Sequence, residues 1–257
     1  SNLVLASTNA KDSTRLAKAD DDLTLTFTSS EKITAPTITL AGSSATVTDT
    51  SGGAQTSWRV TRPVVAGDTG DVSFSISYAD PAGNAGESRD ESGVQNTITL
   101  DTTAPTLPEV KLASNNPFDT SLAKAGETAT LTVLSLEPLH SLTLVKPDGS
   151  DPREMNPVGS EGTQWTLSKT IETGDNGPLE FRLRYTDLAG NSGEEVTATT
   201  DGSAVTMDTT APEISSVSIV SDNANSALGK RDDTVTLSFA TSEPIQTPTA
   251  SDVTISG

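Results

Sequence analysis

Residues 72–84 read Val-Ser-Phe-Ser-Ile-Ser-Tyr-Ala-Asp-Pro-Ala-Gly-Asn, and this stretch decides the fold. Four apolar side chains in it alternate with serines: Val72, Phe74, Ile76 and Tyr78. Successive side chains of a strand point to opposite faces, so the alternation predicts a strand with one buried face. The Asp-Pro-Ala-Gly-Asn end predicts a hairpin turn, because Gly and Asn tolerate left-handed backbone conformations. The pattern returns at residues 179–191 as Leu-Glu-Phe-Arg-Leu-Arg-Tyr-Thr-Asp-Leu-Ala-Gly-Asn, 107 residues later.

The same step relates other markers in the same order along the chain. Trp58 recurs as Trp165, and the run Asp-Thr-Thr-Ala-Pro at 101–105 recurs at 208–212. A glutamate in each copy recurs at steps of 106 residues: Glu31, Glu137 and Glu243. A fixed period of this kind indicates a repeat architecture. The chain is therefore predicted to hold two complete copies, at residues 1–103 and 104–210, and an incomplete third copy at 211–257.

Further strands are predicted within each copy. Alternating apolar residues mark a second strand, which we expect to turn the same face inward in all three copies: Leu23, Leu25 and Phe27; Ala129, Leu131 and Val133; Val235, Leu237 and Phe239. With the other alternating segments, each copy has about seven strands, which is typical of an immunoglobulin-like sandwich. The predicted fold class is all-β, with tandem immunoglobulin-like β-sandwiches in an elongated array.

Composition excludes several classes of function. The net charge is −19 and the isoelectric point is about 4.2, which argues against nucleic acid as a partner. No run of 18 apolar residues is present, so we expect no membrane insertion by this stretch of chain. There is no cysteine, which removes disulfides and thiol catalysis and suits an exported bacterial protein.

Three short motifs resemble a known family. Ser-Glu-Pro-Ile at 242–245, the two Asp-x-Ala-Gly-Asn turns and the Asp-Thr-Thr-Ala-Pro runs resemble bacterial immunoglobulin-like tandem repeats of large surface proteins and adhesins. The resemblance implies an extracellular, secreted or cell-surface location. It also implies a stalk that contacts neighbouring repeats of the same chain and supports cell adhesion, with any glycan or protein ligand bound through other domains.

Oxygen donors are predicted to meet where two copies join. A seven-strand sandwich places two loops of copy two beside the linker from copy one, which would bring together Asp101, Glu137, Asp187 and Asn191. Such an all-oxygen set is typical of a Ca²⁺ site. Asp208 and Glu243 would begin the next site, and Glu31, Asp80 and Asn84 would form an incomplete one at the free end of copy one. The alternative is that the turn aspartates cap their own turns.

Catalysis is not expected. His140 is the only histidine, and no strand-to-helix nucleophile motif accompanies it. Trp58 and Trp165 are predicted to be core residues and not platforms for sugars. The leading interpretation is a non-catalytic stalk segment. The alternative is a module that binds carbohydrate or protein, alone or as an accessory of a larger extracellular enzyme. In this alternative the divergent segment 146–156 of copy two would have specialised.

Overall fold

The computed structural model describes residues 3–90, 96–249 and 253–254. Every regular element in these residues is a β-strand. No helix in this part of the chain is long and apolar enough to cross a membrane.

The described residues of copy one contain ten strand segments. They are β1 (Val4–Ser7), β2 (Leu16–Ala17), β3 (Asp22–Thr28), β4 (Thr37–Leu40), β5 (Ser43–Ser44), β6 (Thr46–Asp49), β7 (Ser57–Pro63), β8 (Thr69–Asp71), β9 (Phe74–Ser77) and β10 (Thr99–Asp101).

Copy two contains the same ten segments in the same order. They are β11 (Glu109–Ser114), β12 (Leu122–Ala123), β13 (Thr128–Leu134), β14 (Leu139–Val145), β15 (Arg153–Glu154), β16 (Asn156–Pro157), β17 (Gln164–Thr170), β18 (Gly177–Pro178), β19 (Arg182–Asp187) and β20 (Thr206–Met207). The third copy forms a hairpin of β21 (Ile214–Ser221) and β22 (Val235–Thr241).

Each complete copy is a sandwich with the strand order of an immunoglobulin-like domain. One layer of copy one is the antiparallel sheet β1-β3-β7-β6, and the facing strands pair as β5-β4-β9 and β2-β10-β8. Copy two repeats this order as β11-β13-β17-β16, β15-β14-β19 and β12-β20-β18. The predicted fold class is therefore confirmed from the topology, which has the immunoglobulin arrangement of two facing sheets.

The first strand of each copy is divided between the two layers. In copy one, β1 pairs antiparallel with β3, and the chain then crosses over so that β2 pairs parallel with β10. Copy two does the same with β11 and β12. The crossing segment forms an exposed loop at the end of the sandwich from which the linker leaves. We call it the base loop, residues 8–15 in copy one and 115–121 in copy two.

The predicted alternation produces the two cores. Leu23 and Leu25 on β3 are fully buried, and so is Val133 on β13. Trp58 and Trp165 are only 4% and 6% exposed, which confirms their prediction as core residues. Burial of such large aromatic surfaces is a main contribution to the stability of each sandwich.

The third copy does not bury the predicted face. Val217 on β21 is 62% exposed, and Val235 and Phe239 on β22 are 44% and 38% exposed. Their counterparts in copy two are buried because a second layer, which includes β14 and β19, packs on them. Among the described residues no such layer faces β21 and β22, so the expectation that this face turns inward in all three copies is wrong here.

Candidate functional site

The linker between the first two copies is fixed at both ends. The Thr102 hydroxyl donates to the backbone oxygen of Asp68 at 3.0 Å and accepts from the Gly67 amide at 3.1 Å. Three residues on, Pro105 is buried, and Leu107 joins the core of copy two. Because a short segment with a buried proline is held on both sides, the linker has little freedom to bend.

The turn between the last two strands of copy two is held by its own aspartate. Asp187 Oδ1 accepts from the backbone amides of Gly190 at 2.7 Å and Asn191 at 2.9 Å, while Oδ2 accepts from Asn191 Nδ2 at 2.8 Å. Gly190 has a φ of +92°, the left-handed conformation that was predicted for this turn. The turn-capping role proposed as the alternative for the aspartate is therefore present.

Two hydrogen bonds join this turn to copy one. Asn191 Nδ2 donates to the backbone oxygen of Asp101 at 2.9 Å. Asn9 Nδ2, from the base loop of copy one, donates to the backbone oxygen of Ala189 at 2.9 Å. Asn9 is 4% exposed and Ala189 is 1% exposed. The two sandwiches thus meet end to end, with the base of the first against the turn of the second.

Three carboxylates converge at this contact. One oxygen from each of Asp101, Glu137 and Asp187 lies within 4.8 Å of the other two. Ca²⁺ binds oxygens at about 2.3–2.6 Å, so two ligands of one ion are at most about 5 Å apart. The spacing therefore fits a single Ca²⁺ ion, with other oxygens needed to complete six to eight ligands.

This group is negatively charged, and the side chains of Lys11 and Lys18 lie beside Gly190 of the same turn. Within the described parts of the chain, none of the three carboxylates forms an ion pair with Lys or Arg. Partial burial, together with the negative charges of Asp101 and Asp187, raises the pKa of Glu137 above its ordinary value. A divalent cation would remove this repulsion, since it supplies the opposite charge at the point where the three groups meet.

Asn191 was predicted as a fourth ligand. Its amide nitrogen is used in the hydrogen bonds to Asp101 and Asp187. Any contribution of this residue to cation binding would therefore come from its amide oxygen, and its part in metal binding stays a prediction.

The other predicted donors are not part of a group of three within the described residues. Asp208 is exposed, and its side chain caps the linker by accepting from the Thr210 amide at 3.0 Å. The backbone oxygen of Glu243 accepts from the Thr241 hydroxyl at 2.6 Å. Asp208 and Glu243 therefore lack the loop carboxylate that Asp187 supplies at the first junction.

At the free end of copy one, Asp80 and Asn84 form the same self-capped turn. Asp80 Oδ1 accepts from the Asn84 amide at 2.8 Å, and Asn84 Nδ2 donates to Oδ2 at 2.7 Å. Glu31 and this turn line an open cleft of about 500 Å³ that lacks a linker carboxylate. Cation binding by this predicted set stays a prediction.

Asn9 was not among the predicted site residues. A signal was present, because Ser-x-Asn recurs as Ser7-Thr-Asn9, Ser114-Asn-Asn116 and Ser221-Asp-Asn223, again at steps of 107 residues. The motif is short and polar, and it lies outside the alternating segments from which the strands were predicted.

Comparison with known proteins adds no family. No family model matches the chain, and no curated protein matches it. Solved structures with some likeness include the fibronectin(III)-like modules of Clostridium thermocellum CbhA, which are 9% identical to this chain. The match covers 76% of this chain and 88% of that chain, with a TM-score of 0.32. Bovine butyrophilin has 12% identity, with coverages of 77% and 99% and a TM-score of 0.30. SGBP-B of the Bacteroides ovatus mixed-linkage glucan utilization locus, solved with a mixed-linkage heptasaccharide, is 16% identical. The match covers 80% of this chain and 47% of that chain, with a TM-score of 0.21.

Proposed function

We propose that this chain is a non-catalytic stalk segment of a secreted or surface-anchored bacterial adhesin, and that Ca²⁺ stiffens the junctions between its immunoglobulin-like copies. The observation that carries the proposal is the convergence of Asp101, Glu137 and Asp187 at the contact between the two sandwiches. One carboxylate comes from the end of copy one and two come from loops of copy two. An ion held by all three would resist bending, since each bend would separate its ligands.

Support also comes from the linker. Thr102 is hydrogen-bonded to copy one, and Leu107 is packed in copy two. A spacer needs such a joint, because a flexible linker would let the distal end of an array collapse towards its base.

The test is the thermal unfolding and inter-copy distance of the purified chain in EDTA and in millimolar Ca²⁺. Ligand at about 100 times its Kd stabilises by about 2.7 kcal/mol, which corresponds to a rise in Tm of roughly 10 °C or more for a domain of this size. The chain has no cysteine, so single cysteines at exposed Ser43 and Ser160 allow dye labelling for energy transfer. We expect Ca²⁺ to raise Tm and to narrow the distribution of distances.

The chain offers a matched control for the site. Asp187→Asn and Asp80→Asn alter the same turn in copies two and one, but only Asp187 lies beside carboxylates of the junction. Asp187→Asn should abolish the calcium effect and Asp80→Asn should retain it. Identical unfolding curves and distances in EDTA and Ca²⁺ would refute the calcium part of the proposal.

A binding module is the second candidate, and one feature favours it. A cleft of about 440 Å³ in copy two combines the apolar side chains of Leu131 and Leu144 with Lys146 and Arg153, which both form ion pairs with Asp151 of the same cleft. Lys146 and Arg153 belong to the segment that differs most between the copies. Screening the intact chain against glycans and acidic peptides, with Lys146→Ala and Arg153→Ala as variants, tests this candidate. Binding that both substitutions abolish would support it over a plain spacer.

A further inference from the structure

The base loops of the first two copies and the equivalent residues 222–229 of the third copy, which we also call a base loop, have the same internal construction. Each contains an asparagine whose side-chain nitrogen donates to a carboxylate ten to twelve residues further on: Asn9 to Asp21 at 2.8 Å, Asn116 to Glu127 at 3.0 Å and Asn223 to Asp233 at 2.7 Å. The same carboxylate accepts from the backbone amide of the lysine three residues before it: Lys18, Lys124 and Lys230. The loop is therefore built without help from a neighbouring copy.

The first of these loops is in contact with a following copy. Asn9 Nδ2 donates to the backbone oxygen of Ala189 as well as to Asp21. Burial follows this contact, since Ala189 is 1% exposed whereas its counterpart Ala82, at the free end of copy one, is exposed. Asn9 is buried, whereas Asn116, at the base of copy two, is only half-buried.

A second contact lies next to the first. The side chain of Lys11 lies against Gly190, with its Cγ 3.4 Å from the position that a Cβ would occupy there. The corresponding residue of copy two is Phe118, 107 positions later, and its ring is 75% exposed. An exposed phenylalanine at this place can cover the glycine of a turn in the way that the Lys11 methylenes cover Gly190.

We propose that each base loop is a docking site for the Asp-x-Ala-Gly-Asn turn of another copy of the repeat. Asn116 and Phe118 would receive such a turn, Asn116 by donating to the backbone oxygen of its alanine and Phe118 by packing on its glycine. The proposal goes beyond the calcium-stiffened stalk, because these contacts are amide, backbone and apolar and need no cation. In this proposal, direct docking of each base loop on the turn of another copy determines how the copies are ordered in an array.

The existing chain tests the occupied site. In EDTA, Asn9→Ala should broaden the distance distribution between dyes at positions 43 and 160, whereas Asn116→Ala should leave it unchanged. The two substitutions are matched within their own copies. Each removes two hydrogen bonds that the side-chain oxygen accepts from loop amides, and one that the side-chain nitrogen donates to Asp21 or Glu127. Equal effects of the two substitutions on this distance would overturn the proposal.

A lengthened chain tests the unoccupied site. In this chain, a second stretch with the sequence of residues 138–207 is placed directly after Glu243, so that the third copy is completed. The measurement is hydrogen exchange of the Asn116 side-chain amide by NMR in EDTA. Exchange should slow several-fold, to a rate similar to that of Asn9, and Phe118→Ala should restore fast exchange. Exchange that stays fast, although the backbone amides of residues 235–241 are protected and the third copy is folded, would overturn the proposal. Running both tests in EDTA separates this result from any failure of the calcium proposal.

Discussion

At the scale of single residues, Glu137 is where the calcium hypothesis makes its sharpest prediction. Its pKa is raised by partial burial and by the charges of Asp101 and Asp187, so without a cation the folded state disfavours its ionised form. The stability linked to this group is present at low pH and is lost as the pH rises through the raised pKa. In EDTA at neutral pH, Glu137→Gln should therefore stabilise the chain by roughly 0.2–1 kcal/mol. In Ca²⁺ it should destabilise the chain, because a ligand is lost.

The control for this prediction is Glu31→Gln, at the equivalent position of copy one, because within the described residues Glu31 is not part of a group of three carboxylates. Unfolding in EDTA and Ca²⁺, repeated from acid to neutral pH, gives the comparison. A substitution effect of the same sign in both conditions would contradict a cation at Glu137.

At the scale of elements, the loops that follow β7 and β17 contain equivalent ion pairs. The pair is largely buried in copy one and more exposed in copy two. Arg62 forms two hydrogen bonds to Asp68, at 2.8 and 2.9 Å, and its side chain is 8% exposed. The equivalent pair in copy two, Lys169 and Asp175, is 42% and 32% exposed. Asp68→Asn should cost about 1–3 kcal/mol, because it leaves a buried guanidinium poorly paired. Asp175→Asn should cost less, since an exposed pair is well solvated.

The pKa of the carboxyl group is lowered in both loops, by hydrogen bonding to Arg62 at Asp68 and to Lys169 at Asp175, so the pH dependence of the two pairs has the same sign. Hydrogen bonding to Arg62 lowers the pKa of Asp68, so the stability from this pair is present above the ordinary aspartate value and is lost as the pH falls through the lowered pKa. Hydrogen exchange of β3 and β13 amides reports the two copies separately. Equal losses of protection in Asp68→Asn and Asp175→Asn would show that burial of the arginine does not decide the effect.

The same element scale shows what the sequence can predict. Period-two alternation predicted β3 and β13 with the correct buried face, because one-sided burial requires that pattern. The spacing of Asp101, Glu137 and Asp187 followed from the order of loops in a seven-strand sandwich. The crossing of the first strand between layers was not predicted, since β2 and β12 have only two residues each and carry no period. The contact of Gly193 with the Tyr185 ring was missed for a similar reason, because Gly193 lies outside the strands and the contact depends on how the residues after the turn pack on β19.

At the scale of the whole molecule, the third copy differs from the other two because, within the described residues, no second sheet packs on its apolar face. The strands β21 and β22 pair over their length, as β11 and β13 do, yet their apolar side chains are exposed. An isolated two-stranded hairpin has marginal stability in water, because pairing alone buries too little apolar surface. Copy two should therefore unfold only globally, whereas the hairpin should open locally at a much lower free energy.

Hydrogen exchange measured by mass spectrometry on residues 235–241 and 128–134 tests this difference within one chain. We expect the amides of β22 to exchange orders of magnitude faster than those of β13, although both strands have seven residues and alternate in the same way. Protection of β22 that rises with protein concentration would mean that a second molecule covers the exposed face. Equal protection of the two strands at all concentrations would contradict the idea that an opposing layer, and not strand pairing, stabilises each copy.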